Sequence, residues 1–417
     1  MTASPAVASG IRNYLLVTLA YWAFTITDGA IHMLVVLHFH NLGYAPLEIA
    51  FLFLFYEVFG IVTNGVGGYI GARLGLNTTM FLGMALQIVA LSMLAVDPGW
   101  LSISYVMFFM ALSGIAKDLN KMSAKSSVKL MVPDGEQSDS RLFKMVALLT
   151  GSKNSLKGAG FFLGGLLLAV FGFQLALILL AFGLFITLIL TGWLLPKEMG
   201  KAKSSVKFKQ LFSKTPQINR LSAARFFLFG SRDVWFTVGL PVFFAEQLAW
   251  SHTQVGTFLA LWVVGYGIVQ ALAPALLRNR KNDQGPDGGT ARLWAFILTL
   301  LPAGIAIALT QGFDPAQAIV IGLGLFGVVF ALNSSVHSFL ILLYSDRETV
   351  AMNVGFYYMA NAAGRLTGTV LSGGLYQLYG LQGCLWASVV FVSAATLVSM
   401  GLPGHEKWQQ IRHSQQS

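Results

Sequence analysis

Apolar runs of about 20 residues, each long enough to cross the hydrocarbon core of a bilayer, recur along the whole chain, and some of them contain lysine or arginine. The stretch 113–130, SGIAKDLNKMSAKSSVKL, is the sharpest case: Lys117, Asp118, Lys121 and Lys125 fall in a run otherwise suited to lipid. Any fold of this chain has to place its apolar runs in lipid and still shelter those charges. Composition agrees, with 55% hydrophobic and only 11% charged among 417 residues, against roughly a quarter charged in soluble domains. The single cysteine, Cys384, excludes a disulfide framework and a multi-thiolate metal site. The net charge of +10 is expected to serve membrane topology, not nucleic acid. The first apolar run is too long for a cleaved leader, so none is expected.

Twelve spans are predicted, at 13–39, 46–70, 78–96, 100–131, 141–171, 173–195, 221–246, 253–277, 291–311, 315–344, 348–379 and 382–402. Tight turns such as Asp97-Pro98-Gly99 and Asp314-Pro315 connect several of them. The turns after odd-numbered spans carry no Lys or Arg. The other side holds Arg12, Arg73, Lys129, Arg141, Arg278, Arg280, Lys281, Arg292, Arg347, Lys407 and Arg412, with Lys197, Lys201, Lys203, Lys207, Lys209, Lys214 and Arg220 in the segment 196–220. By the positive-inside rule that side is cytoplasmic and both termini are inside. A bacterial inner membrane is the expected location.

The two halves echo each other. FTITD, ending at Asp28, matches FGSRD, ending at Asp233; GIVTNGVGG (60–68) matches GIVQALAPA (267–275); KGAGFFLGGL from Lys157 matches RLTGTVLSGGL from Arg365. The three matches fall in order at nearly constant offset. Two six-helix halves joined by a basic linker resemble the major facilitator superfamily. The expected fold is therefore all-α, with twelve transmembrane helices in two pseudo-symmetric bundles: 1–195, a linker 196–220, 221–403, and a tail 404–417. Such a fold places its substrate site near the midplane. GYIGARLGLN (68–77) resembles the superfamily's loop motif, with Gly68, Arg73 and Gly75 in place. It departs at Ala72, Leu76 and Asn77, so the usual charged latch is not expected here. Gly160/Gly164 and Gly364/Gly368 have the small-residue spacing of helix-packing surfaces.

Nine of the 27 Lys and Arg lie inside spans: Lys117, Lys121, Lys125, Lys144, Lys153, Lys157, Arg225, Arg232 and Arg365. Lipid exposure of each would cost roughly 3 kcal/mol on insertion scales. Lys144, Arg225 and Lys125 are close enough to the basic side to snorkel out. The deeper ones are not: Lys117 stands about 20 Å above Leu130 at the helical rise. Lys117/Lys121 and Lys153/Lys157 are spaced four apart and share a face. Two ammonium groups about 6 Å apart repel by roughly 3 kcal/mol at an effective dielectric of 20.

Internal acids are fewer: Asp28, Glu57, Asp118 and Asp233. Two readings follow. In one, Lys117, Lys121, Lys153, Lys157, Arg232 and Arg365 line a watery cavity that binds a polyanion, with Asn120, Asn154 and Asn361 completing it. In the other, the lysines pair with Asp28, Glu57 and Asp118 and fix helix positions. Arg232 and Asp233 point about 100° apart on a helix and need not neutralise each other. Asp28 and Glu57 are candidate proton carriers, and Asp118, Asp233 and His32 candidates for charge balance. Asn333 and His337 are further polar groups inside a span. No cofactor, metal motif or catalytic nucleophile is expected, so the chain is not read as an enzyme.

At closer range LAYWAFTITDGAIHMLVVLHFHNLGYAPLEIAFLFLFYEVFGIVTN, SGIAKDLNKMSAKSSVKL, LLTGSKNSLKGAGFFLGG and SAARFFLFGSRDVWFTVGLPVF resemble the organoarsenical efflux permeases of bacterial arsenic operons, over about Tyr14 to Pro403. The resemblance implies export of 1-arseno-3-phosphoglycerate, made from arsenate by a partner glyceraldehyde-3-phosphate dehydrogenase. The charge pattern by itself implies a small polyanion. A single cysteine does not suit trivalent arsenic, which favours soft thiolate sets. The alternative is an organophosphate or other organic-anion transporter of the same fold, exchanging with phosphate. A monomer is expected.

Overall fold

The computed structural model describes residues 5–44, 46–132, 138–196, 199–202, 212, 215–277 and 285–416. Among them the chain is helical and without strands. In chain order the helices are α1 (Pro5–Asn41), α2 (Pro46–Leu52), α3 (Leu54–Leu74), α4 (Leu76–Leu94), α5 (Ile103–Met131), α6 (Ser138–Leu194), α7 (Pro216–Phe236), α8 (Gly239–Glu246), α9 (His252–Leu276), α10 (Gly288–Thr310), α11 (Pro315–Leu343), α12 (Val350–Ser399) and α13 (His405–Gln416). Lys197, Lys203, Lys207, Lys209, Lys214, Arg278, Arg280 and Lys281 lie outside the described residues.

The twelve expected spans map onto these helices with two differences of detail. Spans five and six lie within α6 and are divided at Gly172, whose φ of 73° and ψ of 177° are not helical and end one helix before the next begins. Spans eleven and twelve lie within α12 and are divided in the same way at Gly380, φ 63°. Positive φ is cheap only for glycine, so each division sits where the sequence permits a reversal without a loop. The second span is interrupted at Phe53, between α2 and α3, and the seventh between α7 and α8. Turn chemistry follows the sequence elsewhere. The Asp97 side chain accepts from the Gly99 amide at 2.9 Å, and Asp314 caps α11 by accepting from the Gln317 amide at 2.8 Å.

Small residues set the helix contacts, as their spacing suggests. A side chain at Gly160 would meet the Gly29 Cα at 3.1 Å, and one at Gly164 would meet the Ala30 Cα at 2.9 Å. Thus α6 lies directly against α1. The second half repeats this: Gly364 abuts the backbone of Phe226, and Gly368 the backbone of Gly230 and Val234, seating α12 on α7. With no hydrophobic drive between helices in lipid, such close backbone approach supplies dispersion contact instead.

The chain divides into two compact units that exchange one segment each. The first comprises Met1–Ser138, Ser152–Ser213 and Ser345–Met359; the second comprises Asp139–Gly151, Lys214–Tyr344 and Ala360–Ser417. In the first unit the start of α12 packs on α3, where the Gly68 position faces Gly355, and Arg347 donates to the Val132 carbonyl at 2.8 Å. In the second unit the start of α6 packs among α9 and α11, with Gly151 against Ala271 and Phe143 against Phe339 at 5.3 Å between ring centroids. The apolar core of the first unit gathers Leu34, Phe39, Tyr56 and Phe109. That of the second gathers Trp235, Phe244, Phe326 and Phe330.

Candidate functional site

In the first unit the lysines of α5 and α6 meet carboxylates from α1, α3 and α5. Lys157 Nζ lies 3.4 Å from Asp28 Oδ2, and the Tyr56 hydroxyl donates to Asp28 Oδ1 at 2.6 Å. Lys117 Nζ lies 3.8 Å from Glu57 Oε1 and 3.7 Å from the centre of the Tyr56 ring, a cation–π contact. Lys121 Nζ is 2.5 Å from Asp118 Oδ1 and stands over Tyr358 at 4.5 Å. Lys153 has the Asn154 side-chain oxygen at 3.3 Å, and its charged neighbours are Lys157, Asp28, Lys121 and Lys117. Four lysines thus stand among three carboxylates.

These pairs are those of the second reading given above, yet they are not sealed. The side chains of Lys117, Lys121 and Lys157 keep 15%, 19% and 23% exposure, and Glu57 keeps 47%. The lysine side chains are therefore not fully enclosed by their partners. His32 does not reach the Asp28 carboxylate. Its Nδ1 is 2.8 Å from the Asp28 carbonyl oxygen, and its ring stacks on Phe53 and meets Tyr56 edge-on. Asn120 is buried and donates to the Ala116 carbonyl of its own helix at 3.0 Å, against Gly83.

The second unit carries the arginines. Arg232 donates from Nε to Asp233 Oδ1 at 2.6 Å, and Arg365 donates from Nε to Asp233 Oδ2 at 2.9 Å. Arg232 and Asp233 thus pair although their Cβ positions point about 100° apart: the guanidinium is long enough to curl around the helix to its neighbour. Asn361 accepts from Arg225 Nε at 2.8 Å, one helical turn before Arg365. Helices α7 and α12 are therefore joined by two rungs, Arg225–Asn361 and Asp233–Arg365.

Two expectations are corrected. Lys125 and Arg225 do not snorkel; each is only 3% exposed. Lys125 donates to the Tyr358 hydroxyl at 2.7 Å. Arg225 donates to the Ser334 hydroxyl at 3.0 Å and lies over Phe229 at 3.9 Å. Both positions had a legible signal. Lys117, Lys121 and Lys125 form one four-residue stripe, and Arg225 precedes Arg232 by two turns. Lys144 is exposed, as snorkelling requires. Asn333 and His337, one turn apart on α11, are buried, and neither side chain has a hydrogen-bond partner.

The fold of the chain is similar to those of several solved structures. A bacterial homologue of the iron transporter ferroportin, in its outward-facing state, superposes with a TM-score of 0.72 at 16% identity, covering 95% of this chain and 99% of that one. The proton:xylose symporter XylE, bound to 6-bromo-6-deoxy-D-glucose, gives 0.72 at 14% identity, covering 95% of each chain. The human organic anion transporter MFSD10 (TETRAN) gives 0.71 at 15% identity, covering 94% and 99%. No curated protein sequence matches the chain. The family model of the Major Facilitator Superfamily matches residues 14–335 and 221–415, and with the twelve-span fold already described, the chain belongs to the major facilitator superfamily of multi-pass membrane transporters.

Proposed function

We propose that this transporter exports a small polyanionic organoarsenical, 1-arseno-3-phosphoglycerate, from the bacterial cytoplasm across the inner membrane. A glyceraldehyde-3-phosphate dehydrogenase supplies the ester, and arsenate resistance is the outcome. The sequence resemblance to organoarsenical efflux permeases names the substrate. The structural observation that carries the reading is the first unit's set of four membrane-embedded lysines among three carboxylates, with Lys117, Lys121 and Lys157 partly exposed. Such a set attracts an anion with more than one charge, because Lys117, Lys121 and Lys157 are otherwise held by carboxylates it can replace and Lys153 bonds to a neutral amide oxygen. Lys117, Lys121, Lys153 and Lys157 bind the anion in this reading, with Asn120 and Asn154 alongside; Arg232, Arg365 and Asn361 are the second unit's own candidates for substrate binding.

Proton entry drives the export in this reading. Asp28 is the first carrier and Glu57 the second, since each carboxylate is held by a lysine and senses whether that lysine is engaged elsewhere. Asp118 and Asp233 balance charge, with His32 fixing the α1 backbone beside Asp28. The test is arsenate sensitivity of cells expressing the transporter with and without the partner dehydrogenase. Protection only when both are present supports the reading. Protection by the transporter alone, or none with both, overturns it.

A further inference from the structure

Two ion pairs of the first unit, Lys157–Asp28 and Lys117–Glu57, meet at one side chain that belongs to neither. Tyr56, on α3, is 0% exposed. Its hydroxyl donates to Asp28 Oδ1 at 2.6 Å, while the other carboxylate oxygen, Oδ2, faces Lys157 Nζ at 3.4 Å. Its ring lies under Lys117 Nζ at 3.7 Å, and that ammonium reaches Glu57 Oε1 at 3.8 Å. Tyr56 is itself held in place. His32 meets its ring edge-on at 4.5 Å between centroids. Gly114 of α5 lies so close that a side-chain carbon there would meet the Tyr56 Cα at 2.9 Å. Asp28 and Tyr56 are thus a buried frame, and the two lysines in front of it are partly exposed.

The two ends of Tyr56 act by different chemistry. A carboxylate neutralises an ammonium group, whereas an aromatic face holds it and leaves its charge. Lys117 therefore keeps a partner when Glu57 lets it go. The hydroxyl serves the acid instead. A buried carboxylate that loses its cation is stranded, and a hydroxyl already donating to one oxygen reduces that penalty. Asp28 therefore keeps a partner when Lys157 lets it go.

We propose that Tyr56 is a positioning residue of the anion site: its ring holds Lys117 and its hydroxyl holds Asp28 while an anion draws the two ammonium groups from their carboxylates. The assignment rests on the export reading, and it adds the group that lets both pairs open without leaving a buried charge bare.

The test is equilibrium binding of labelled 3-phosphoglycerate to the full-length protein in nanodiscs, counted per folded protein. Tyr56→Phe keeps the ring and removes the hydroxyl. It is expected to weaken binding about tenfold, the scale of one charged hydrogen bond. Asp28→Asn removes the charge that the lost hydroxyl leaves bare. In the Tyr56→Phe background it should bring binding back to within about twofold of the wild type, a repair that a packing defect does not allow. Tyr56→Leu lacks the ring as well, and should bind about fivefold more weakly than Tyr56→Phe, within the range of a cation–π contact. Three results overturn the assignment: wild-type affinity in Tyr56→Phe, a Tyr56→Phe defect that Asp28→Asn leaves in place, or equal binding by Tyr56→Leu and Tyr56→Phe. The export reading survives each of them so long as Lys157→Gln weakens binding. If the wild type does not bind 3-phosphoglycerate, or Lys157→Gln binds it equally well, the lysine set is not the anion site and both the reading and the assignment fail.

Discussion

Lys157 Nζ stands 3.4 Å from the Asp28 carboxylate, and the second half of the chain repeats the pair with Arg365 on Asp233 at 2.9 Å. The partners sit at matching positions of the internal repeat, where the FTITD and FGSRD segments meet the two glycine-rich segments that pack beside them. Each half thus carries one ionic rung between its first and fifth spans.

Removing one partner of a buried pair strands the other, at a cost on the order of 3 to 5 kcal/mol; the 23% exposure of Lys157 puts this pair at the low end. Lys157→Gln should therefore lower thermal stability in detergent, and Asp28→Asn in the Lys157→Gln background should restore much of it without restoring transport. Melting curves and vesicle uptake of the double variant check this. A double variant no more stable than the single one would mean the two groups are not energetically coupled.

Lys125 and Arg225 are buried and bonded, whereas Lys144 reaches the surface. Lys125→Met and Arg225→Met are expected to reduce transport at least about tenfold, the scale of one charged hydrogen bond. Lys144→Gln should transport like the wild type. Uptake normalised to folded protein in the vesicles separates these outcomes.

The seat of α12 on α7 leaves no room for a methyl group. A side-chain carbon at Gly364 would fall inside contact distance of the Phe226 carbonyl, whereas one at Gly373 meets open space. Gly364→Ala should cost about 1 to 3 kcal/mol by overpacking, and Gly373→Ala should be neutral or gain up to about 1 kcal/mol from helix propensity. Thermal unfolding of the two variants measures the difference.

At the start of α10, Asp287 accepts from the Thr290 amide and hydroxyl, both at 2.9 Å. Burial pushes its carboxyl up, but the Thr290 bonds and nearby His405 outweigh that and hold it below the usual carboxylate range. A carboxyl lowered in the folded state stabilises above its unfolded value and loses that contribution as pH falls through the folded one. The wild type should therefore lose stability relative to Asp287→Ala as pH drops below about 4, where an unfolded aspartate begins to protonate. Above that range the variant should be less stable by about 1 kcal/mol, as when other helix caps are removed. Melting temperatures of both proteins across that interval test the sign.

Much of this architecture was legible because lipid imposes simple rules. Span length, turn residues and glycine spacing are local, and each fixed its element: Asp97 and Asp314 cap where turns were read, and Gly160 and Gly364 pack as their spacing implied. The turns read at 172 and 380 fall at Gly172 and Gly380, where non-helical backbone separates one helix from the next. The burial of Arg225 and Lys125 was missed for a different reason. Distance along a helix from the basic end says how far a side chain must reach, not whether Asn361, Ser334 or Tyr358 stands closer than water. The pairing of Arg232 with Asp233 was likewise hidden, because the angle between neighbouring Cβ positions ignores the reach of a guanidinium. The exchange of 139–151 and 345–359 between units leaves no mark in periodicity at all.

The proposed substrate is tested most directly by competition in everted membrane vesicles containing this protein, with labelled 3-phosphoglycerate or the arsenical ester as the transported anion. Multiply charged three-carbon esters are expected to compete far better than arsenite or a neutral methylated arsenical, since each direct charge pairing with the lysine set is worth on the order of 2 to 5 kcal/mol. Lys117→Gln and Lys157→Gln should abolish the difference. Equal competition by arsenite or a neutral arsenical in the wild-type vesicles would contradict the proposal, because the lysine cluster would then not be where the substrate binds.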